Sequence, residues 1–381
     1  MANKGAVNTV GLPAYRYEAR HVYHKKCHWP IRLVANLIAT SLGLVIFLGL
    51  TQPAVAAEYY NCSNPNGCQL ISSIEPKDDS TATQYPVVLA HGLGGFNTLF
   101  GLLGYFNGIP QALMQGGSEV YVTKTSAIHD AEFRGEQLLQ QVQTIAAVTG
   151  KQKVNLIGHS LGGIDIRYVA AVAPEHVASV TAVASPEQGS KMADWVLRLI
   201  TESSARSGYP EGEYNLLGRA LISYHKFLGR FLDVGSGISL KQLQQQDSLR
   251  AVTGLTSDYM AEYYNPKYPA AMPSEYCGQP PQEYVVNGIP YYSFSGVGTI
   301  TNGLDPSDYI LALTGLTFGK DDPNDGLVSA CSSRLGYVIR DDYKMNHLDS
   351  VNQFLGLVAW GEVDPVSVYR SQVNRLKNEG L

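Results

Sequence analysis

The run Gly158-His159-Ser160-Leu161-Gly162 sets a serine between two glycines, after the apolar stretch 154–157 and before a helix-compatible run holding Ile164, Ile166, Tyr168 and Val169. A serine hydroxyl becomes a useful nucleophile only when a base takes its proton and its oxygen stands clear of the backbone. A sharp strand-to-helix turn achieves the second condition, and it leaves no room for Cβ atoms beside the serine. Gly158, Gly162 and Gly163 meet that demand. The helix start behind Ser160 also favours negative charge near its oxygen. Taken alone, the five-residue pattern also fits an ordinary glycine-rich turn, so its partners decide the matter.

In a sheet-borne site of this kind the chain order is serine, acid, histidine. His176, His225 and His347 follow Ser160. His176 ends the helix leaving the turn, too early in the chain for the acid to come before it, and His225 sits on an amphipathic segment. His347, in Met345-Asn346-His347-Leu348-Asp349 ahead of a further apolar helix, is the base the order selects. Asp325, in the turn cluster 321–326 before the apolar Leu327-Val328, is the acid that would fix the imidazole tautomer. Asp305, Asp308, Asp341 and Asp342 are its rivals. For the oxyanion of a tetrahedral intermediate, one donor is the backbone N–H of Leu161. The other is that of Leu93, in His91-Gly92-Leu93-Gly94-Gly95 after an early strand.

The elements that must position these groups alternate. Short apolar runs at 86–90, 120–122, 154–157 and 180–184 read as strands; residues 136–148 carry Leu138, Leu139, Val142 and Ile145 at helical spacing and stop at Gly150. Such alternation predicts an α/β fold with a mostly parallel sheet and helices on both faces. Residues 212–233 differ. Leu217, Leu221, Tyr224, Phe227, Leu228 and Phe231 recur at i, i+3 and i+4, either as one more core helix or as a lid over about 212–235, with Gly208, Gly212, Gly235 and Gly237 as swing points. The chain carries a net charge of -5 and no Lys/Arg block beside an aromatic platform, which argues against nucleic acid as partner.

Lys25, Lys26 and Arg32 precede the apolar stretch 33–50, and Ala54-Val55-Ala56 follows. This reads as a signal peptide over 1–56 with an extended charged region, leaving a single domain over 57–381 and predicting export; an uncleaved membrane anchor is the alternative. Outside the leader stand Cys62, Cys68, Cys277 and Cys331, which allow three pairings. Asn-Pro-Asn-Gly between the first two suits a short local loop, with Cys277–Cys331 as the long-range pair.

Together, His91-Gly92-Leu93, Gly158–Gly163, Asn324-Asp325-Gly326-Leu327-Val328 and Asn346-His347-Leu348-Asp349 resemble the true bacterial lipases of the Pseudomonas/Burkholderia type, from about residue 84 onward. The resemblance implies an α/β-hydrolase fold with a helical lid, a Ser160–His347–Asp325 triad and hydrolysis of long-chain triacylglycerols at a lipid–water interface. It implies one structural calcium, held by the carboxylates of Asp305 and Asp349 and the carbonyls of Gln353 and Leu357. Two carboxylates with carbonyls do suit a hard cation, although Asp349 alone would read as a helix-start carboxylate. The family's single disulfide maps onto Cys277 and Cys331, and a dedicated foldase is an implied partner. Glu187 stands where the family often has histidine, and the segment with Cys62 and Cys68 has no family counterpart. The competing readings are a carboxylesterase, phospholipase or polyester depolymerase on the same fold, and a non-catalytic lipid-binding module.

Overall fold

Alternating side chains along each strand build two apolar layers. The computed structural model describes residues 56–64, 67–208 and 213–381; the leader predicted over 1–56 lies almost wholly outside them. The strands are β1 (Ala57–Asn64), β2 (Gly67–Ile74), β3 (Val87–Ala90), β4 (Thr98–Leu99), β5 (Leu103–Gly104), β6 (Val120–Val122), β7 (Val154–His159), β8 (Val177–Val183), β9 (Val285–Val286), β10 (Ile289–Gly296) and β11 (Tyr337–Tyr343). Nine of them form one sheet in the order β11-β10-β8-β7-β3-β6-β1-β2, with β9 beside β10. Every pairing from β11 to β1 is parallel; the β1–β2 and β9–β10 hairpins of this sheet are antiparallel, as is the separate β4–β5 pair.

Period-two alternation sends Val87 and Leu89 to one face and Val88 and Ala90 to the other. The first face packs on helices α1 (Ile109–Gln115) and, at the C-terminus, Pro365–Asn378, through Leu113, Met114, Tyr369 and Val373. The second packs on α2 (Ala131–Thr149) and α3 (Leu161–Val172), through Leu138, Val142, Ile166 and Val169. Strands covered on both sides read as largely apolar runs; β3 is wholly apolar, and β7 is apolar but for Asn155 and its end at His159. The later helices are α4 (Lys191–Arg206), α5 (Leu216–Gly235), α6 (Ser248–Thr253), α7 (Pro306–Gly315) and α8 (Pro365–Asn378), with further short turns between them.

The structure refines the bounds of these elements. Helix α2 starts five residues before 136, because the Asp130 side chain accepts from Phe133 N at 3.0 Å and caps it there. The amphipathic segment starts at Leu216, where Asn215 caps Gly218 N. Gly235 is the last residue of α5 rather than part of a loop, and it is buried where a Cβ would lie 2.5 Å from Leu99 Cδ1. After His347 come the turns Asp349–Val351 and Gln353–Gly356, broken by Asn352 at φ 57°, and then the expected helix, α8, with Val368, Tyr369 and Val373 buried.

The segment without a family counterpart is the β1–β2 hairpin. It extends the sheet by pairing β1 with β6, and the Cys62–Cys68 disulfide closes it. Cys277 and Cys331 form the second disulfide. Among the described residues, no helix is long and apolar enough to cross a membrane.

Candidate active site

Ser160 is the residue at which β7 becomes α3, and its backbone is held at φ 55°, ψ -130°. Side chains rarely adopt that region, so the surroundings must impose it. Ser160 N donates to Val183 O of β8 at 2.9 Å, and Gly163 N donates back to Ser160 O at 2.9 Å. The flanking glycines are sterically required. A Cβ on Gly158 would meet Gly162 O at 2.2 Å, one on Gly162 would meet Ala90 O at 2.4 Å, and one on Gly92 would meet Ser160 Cβ at 2.7 Å.

The early glycine loop is stitched down beside this turn. Gly94 N donates to Ala127 O at 2.7 Å, and Gly92 N donates to the Tyr105 hydroxyl at 3.1 Å. Below it the buried Arg134 guanidinium donates to His91 O at 2.7 Å and pairs with Asp165 at 2.7 Å. His91 accepts from Thr125 N on Nε2 and donates from Nδ1 to Gly92 O; burial holds its pKa well below the usual value, so it stays neutral. Among the described residues, the N–H groups of Leu93 and Leu161 donate to no protein acceptor.

Asp325 and His347 are latched twice. His347 Nδ1 lies 2.7 Å from Asp325 Oδ2, and His347 N donates to Asp325 O at 2.9 Å. The other carboxylate oxygen of Asp325 accepts from Leu327 N and Val328 N. Both side chains are buried. With Nδ1 donating to the carboxylate, Nε2 is left with a bare lone pair, as a general base requires. Ser160 and His347 line one cavity of about 430 Å³, walled mainly by apolar residues such as Leu93, Phe96, Met192, Leu255, Val328 and Leu355.

The rival carboxylates are spoken for. Asp341 pairs with Arg334 at 2.9 Å and Asp342 with Arg340 at 2.5 Å. Asp308 is fully buried and accepts from Thr301 N, Asn302 N and Asn346 Nδ2, each at 2.7 Å. Asn346 in turn accepts from Leu348 N and Asp349 N at 2.8 Å. Asp308 thus orders the loop carrying His347, a role its sequence context (a capped helix start, Asp305-Pro306) disguised.

Asp305 caps α7 through Ser307 N and keeps Oδ2 buried without a partner; Asp349 accepts from Asn346 N and keeps Oδ1 buried without a partner. Burial pushes the Asp349 carboxyl up to about 7, and the charges of Asp308 and Asp305 add to the rise. Two orphaned carboxylate oxygens in one another's field fit a cation. Among the described residues no group of three or more His, Cys, Asp or Glu side chains could hold a metal. Any ion there would therefore need backbone carbonyls. The Gln353 side chain is committed elsewhere, donating to Gly104 O at 2.8 Å and to Tyr105 O.

Glu187, the departure from the family pattern, is buried and paired with Arg167 Nη1 at 2.5 Å; its carbonyl accepts from Asn265 Nδ2. This pair anchors the 185–190 loop, whose Pro186 and Ser190 line the cavity. Helix α5 leaves Leu216, Tyr224 and Phe227 exposed, at 82, 58 and 68%, while Gly218 near its start and Gly229, Leu232, Asp233 and Gly235 towards its end are buried. There Asp233 pairs with the buried Lys124 at 2.9 Å, and Gly235 O accepts from Phe100 N. The glycine cradle yields a prediction: Gly162→Ala should cost about 1–3 kcal/mol of stability and most of the turnover. Gly150→Ala, strained at φ 66° but in open space, should cost about 1 kcal/mol and leave turnover unchanged. Urea unfolding and initial rates measure both.

The comparisons with known proteins fall in line with this geometry. Residues 85–206 match a family model described as alpha/beta hydrolase fold. The chain is 48% identical over 301 residues to a triacylglycerol lipase of Vibrio cholerae, covering 79% of this chain and 90% of that protein. It is 39% identical to a triacylglycerol lipase of Pseudomonas fragi, covering 80% and 100%, and 36% identical to one of Burkholderia plantarii, covering 80% and 89%. The chain belongs to the bacterial triacylglycerol lipases of the α/β-hydrolase fold.

Proposed function

We propose that this lipase hydrolyses long-chain acyl esters of glycerol through an acyl-enzyme, with Ser160 as nucleophile, His347 as base and Asp325 as the acid that orients it. The observation that carries the reading is the buried Asp325–His347 pair facing the same apolar cavity as Ser160. Ser160 Oγ attacks the ester carbonyl as His347 Nε2 takes its proton. The oxyanion faces the uncommitted N–H groups of Leu93 and Leu161, each donor of this type contributing roughly 10²–10³ in turnover. His347 returns the proton to the departing glyceride alcohol. Water, deprotonated by the same nitrogen, then releases the fatty acid and restores Ser160. Asp325 stays ionised and stabilises the imidazolium in both halves.

The exposed apolar face of α5 supports its role as a lid that exchanges water for lipid at an interface. Two disulfides suit an oxidising compartment and support export. Calcium is the cation proposed for Asp305 and Asp349, with the carbonyls of Gln353 and Leu357; it would hold the loop that carries His347. A foldase partner rests on the family resemblance alone, and refolding yield with and without one addresses it.

Two measurements test the proposal. Titrating fatty acid released from emulsified triolein should show turnover that rises with the area of the oil–water interface, and Ser160→Ala, still folded, should lose it by at least about 10³-fold. Undiminished hydrolysis in Ser160→Ala would overturn the reading. Chelator should lower the thermal midpoint by several degrees, and Asp349→Asn should abolish the difference. No shift with chelator would rule the calcium out.

A further inference from the structure

His159 stands directly before the nucleophile in the glycine–serine turn, and its surroundings are specific. The ring is fully buried. Nδ1 lies 2.7 Å from the Tyr105 hydroxyl, and Nε2 lies 3.0 Å from the main-chain carbonyl of His347. The Tyr105 hydroxyl is also the acceptor for Gly92 N at 3.1 Å. The His159 and His347 rings are 4.6 Å apart between centroids.

Donor and acceptor chemistry fixes every proton in this chain. The His347 carbonyl can only accept, so Nε2 of His159 carries the hydrogen. Gly92 N–H can only donate, so the Tyr105 oxygen accepts there and points its own hydrogen at Nδ1. That leaves the imidazole neutral and in a single tautomer. Burial, reinforced by the neighbouring His347, holds its pKa well below the usual value, in agreement with the same assignment.

We infer that His159 is a positioning residue for this lipase: through Tyr105 and Gly92 on one side and the His347 carbonyl on the other, it ties the oxyanion loop and the base to the strand end that carries Ser160. The inference rests on the triad proposed above and adds to it a reason why three loops from distant parts of the chain keep one geometry. The His347 carbonyl has a second donor, the Ser350 hydroxyl at 2.7 Å. Its two lone pairs are therefore shared between His159 and Ser350, and each donor backs up the other. A displacement of about 1 Å in such a site costs roughly 10²-fold in turnover.

The test uses the full chain with a soluble p-nitrophenyl ester, and counts working sites by titration with diethyl p-nitrophenyl phosphate. His159→Phe should lower kcat per titrated site about 10- to 100-fold, with KM changed no more than about twofold. His159→Gln, whose amide nitrogen can still reach the His347 carbonyl, should recover most of that loss. In Ser350→Ala the loss on changing His159 should exceed the product of the single effects. If His159→Phe does not fold, His159→Asn takes its place in the same cycle. Full kcat per site in the Phe or Asn variant overturns the inference, as do strictly multiplicative effects with Ser350→Ala. Failure of Ser160→Ala to abolish hydrolysis would instead strike the triad itself, so the two claims fail separately.

Discussion

The site depends on a backbone constraint: a serine must sit at φ 55° between a strand and a helix packed so closely that their carbonyls occupy the space of neighbouring Cβ atoms. Gly158 and Gly162 exist to let Gly162 O and Ala90 O approach. Val183 O, one strand over, accepts from the serine's own N–H. The parallel order β8-β7-β3 is thus what brings β3's glycine loop against Ser160. A site whose parts come from 91 to 347 in sequence is assembled at one strand end because the sheet puts all those strand ends together.

Holding His347, the proposed base, is a second problem, solved by polar contacts in a buried region. His347 is reached by Asp325 from one side and His159 from another, while Asp308 orders its loop through Asn346. Behind the site, among the described residues, three buried ion pairs fix its supports: Arg134–Asp165 under the oxyanion loop, Arg167–Glu187 behind the cavity wall and Lys124–Asp233 at the base of α5. Removing one partner of such a pair leaves a buried charge, at a cost of about 3–5 kcal/mol. These pairs favour one arrangement over its near alternatives more than they add net stability. Helix α5 contrasts with this: its C-terminal end is anchored by a buried charge and by Leu232, while Leu216, Leu217, Tyr224, Phe227 and Phe231 are exposed where lipid could meet them.

Much of this was legible in the sequence because it is local. The runs that became β3, β6, β7 and β8 are short, mostly apolar segments between turn residues, and the Ser160 turn announces itself by glycine spacing. The order of serine, acid and histidine left His347 as the base and pointed to Asp325. What escaped was non-local. Nothing in residues 57–74 says that β1 will lie parallel to β6, because that pairing depends on a strand some sixty residues on. Asp308 looks like a helix-start carboxylate until Asn346 arrives beside it. His159 and Tyr105 look like core residues until Gly92 and the His347 carbonyl complete the chain. Glu187 looked like a loss relative to the family; its compensation, Arg167, is on a different element.

The central claim is that one serine, held in a strained turn, is the group that takes the acyl chain. It is tested most directly by treating the folded protein with an alkyl phosphonate ester and mapping the adduct by peptide mass spectrometry. The account predicts one phosphonyl group per chain, confined to the peptide containing Ser160, with hydrolysis lost in proportion to labelling. Labelling at another residue with activity lost in step, or full activity in a chain labelled at Ser160, would contradict it.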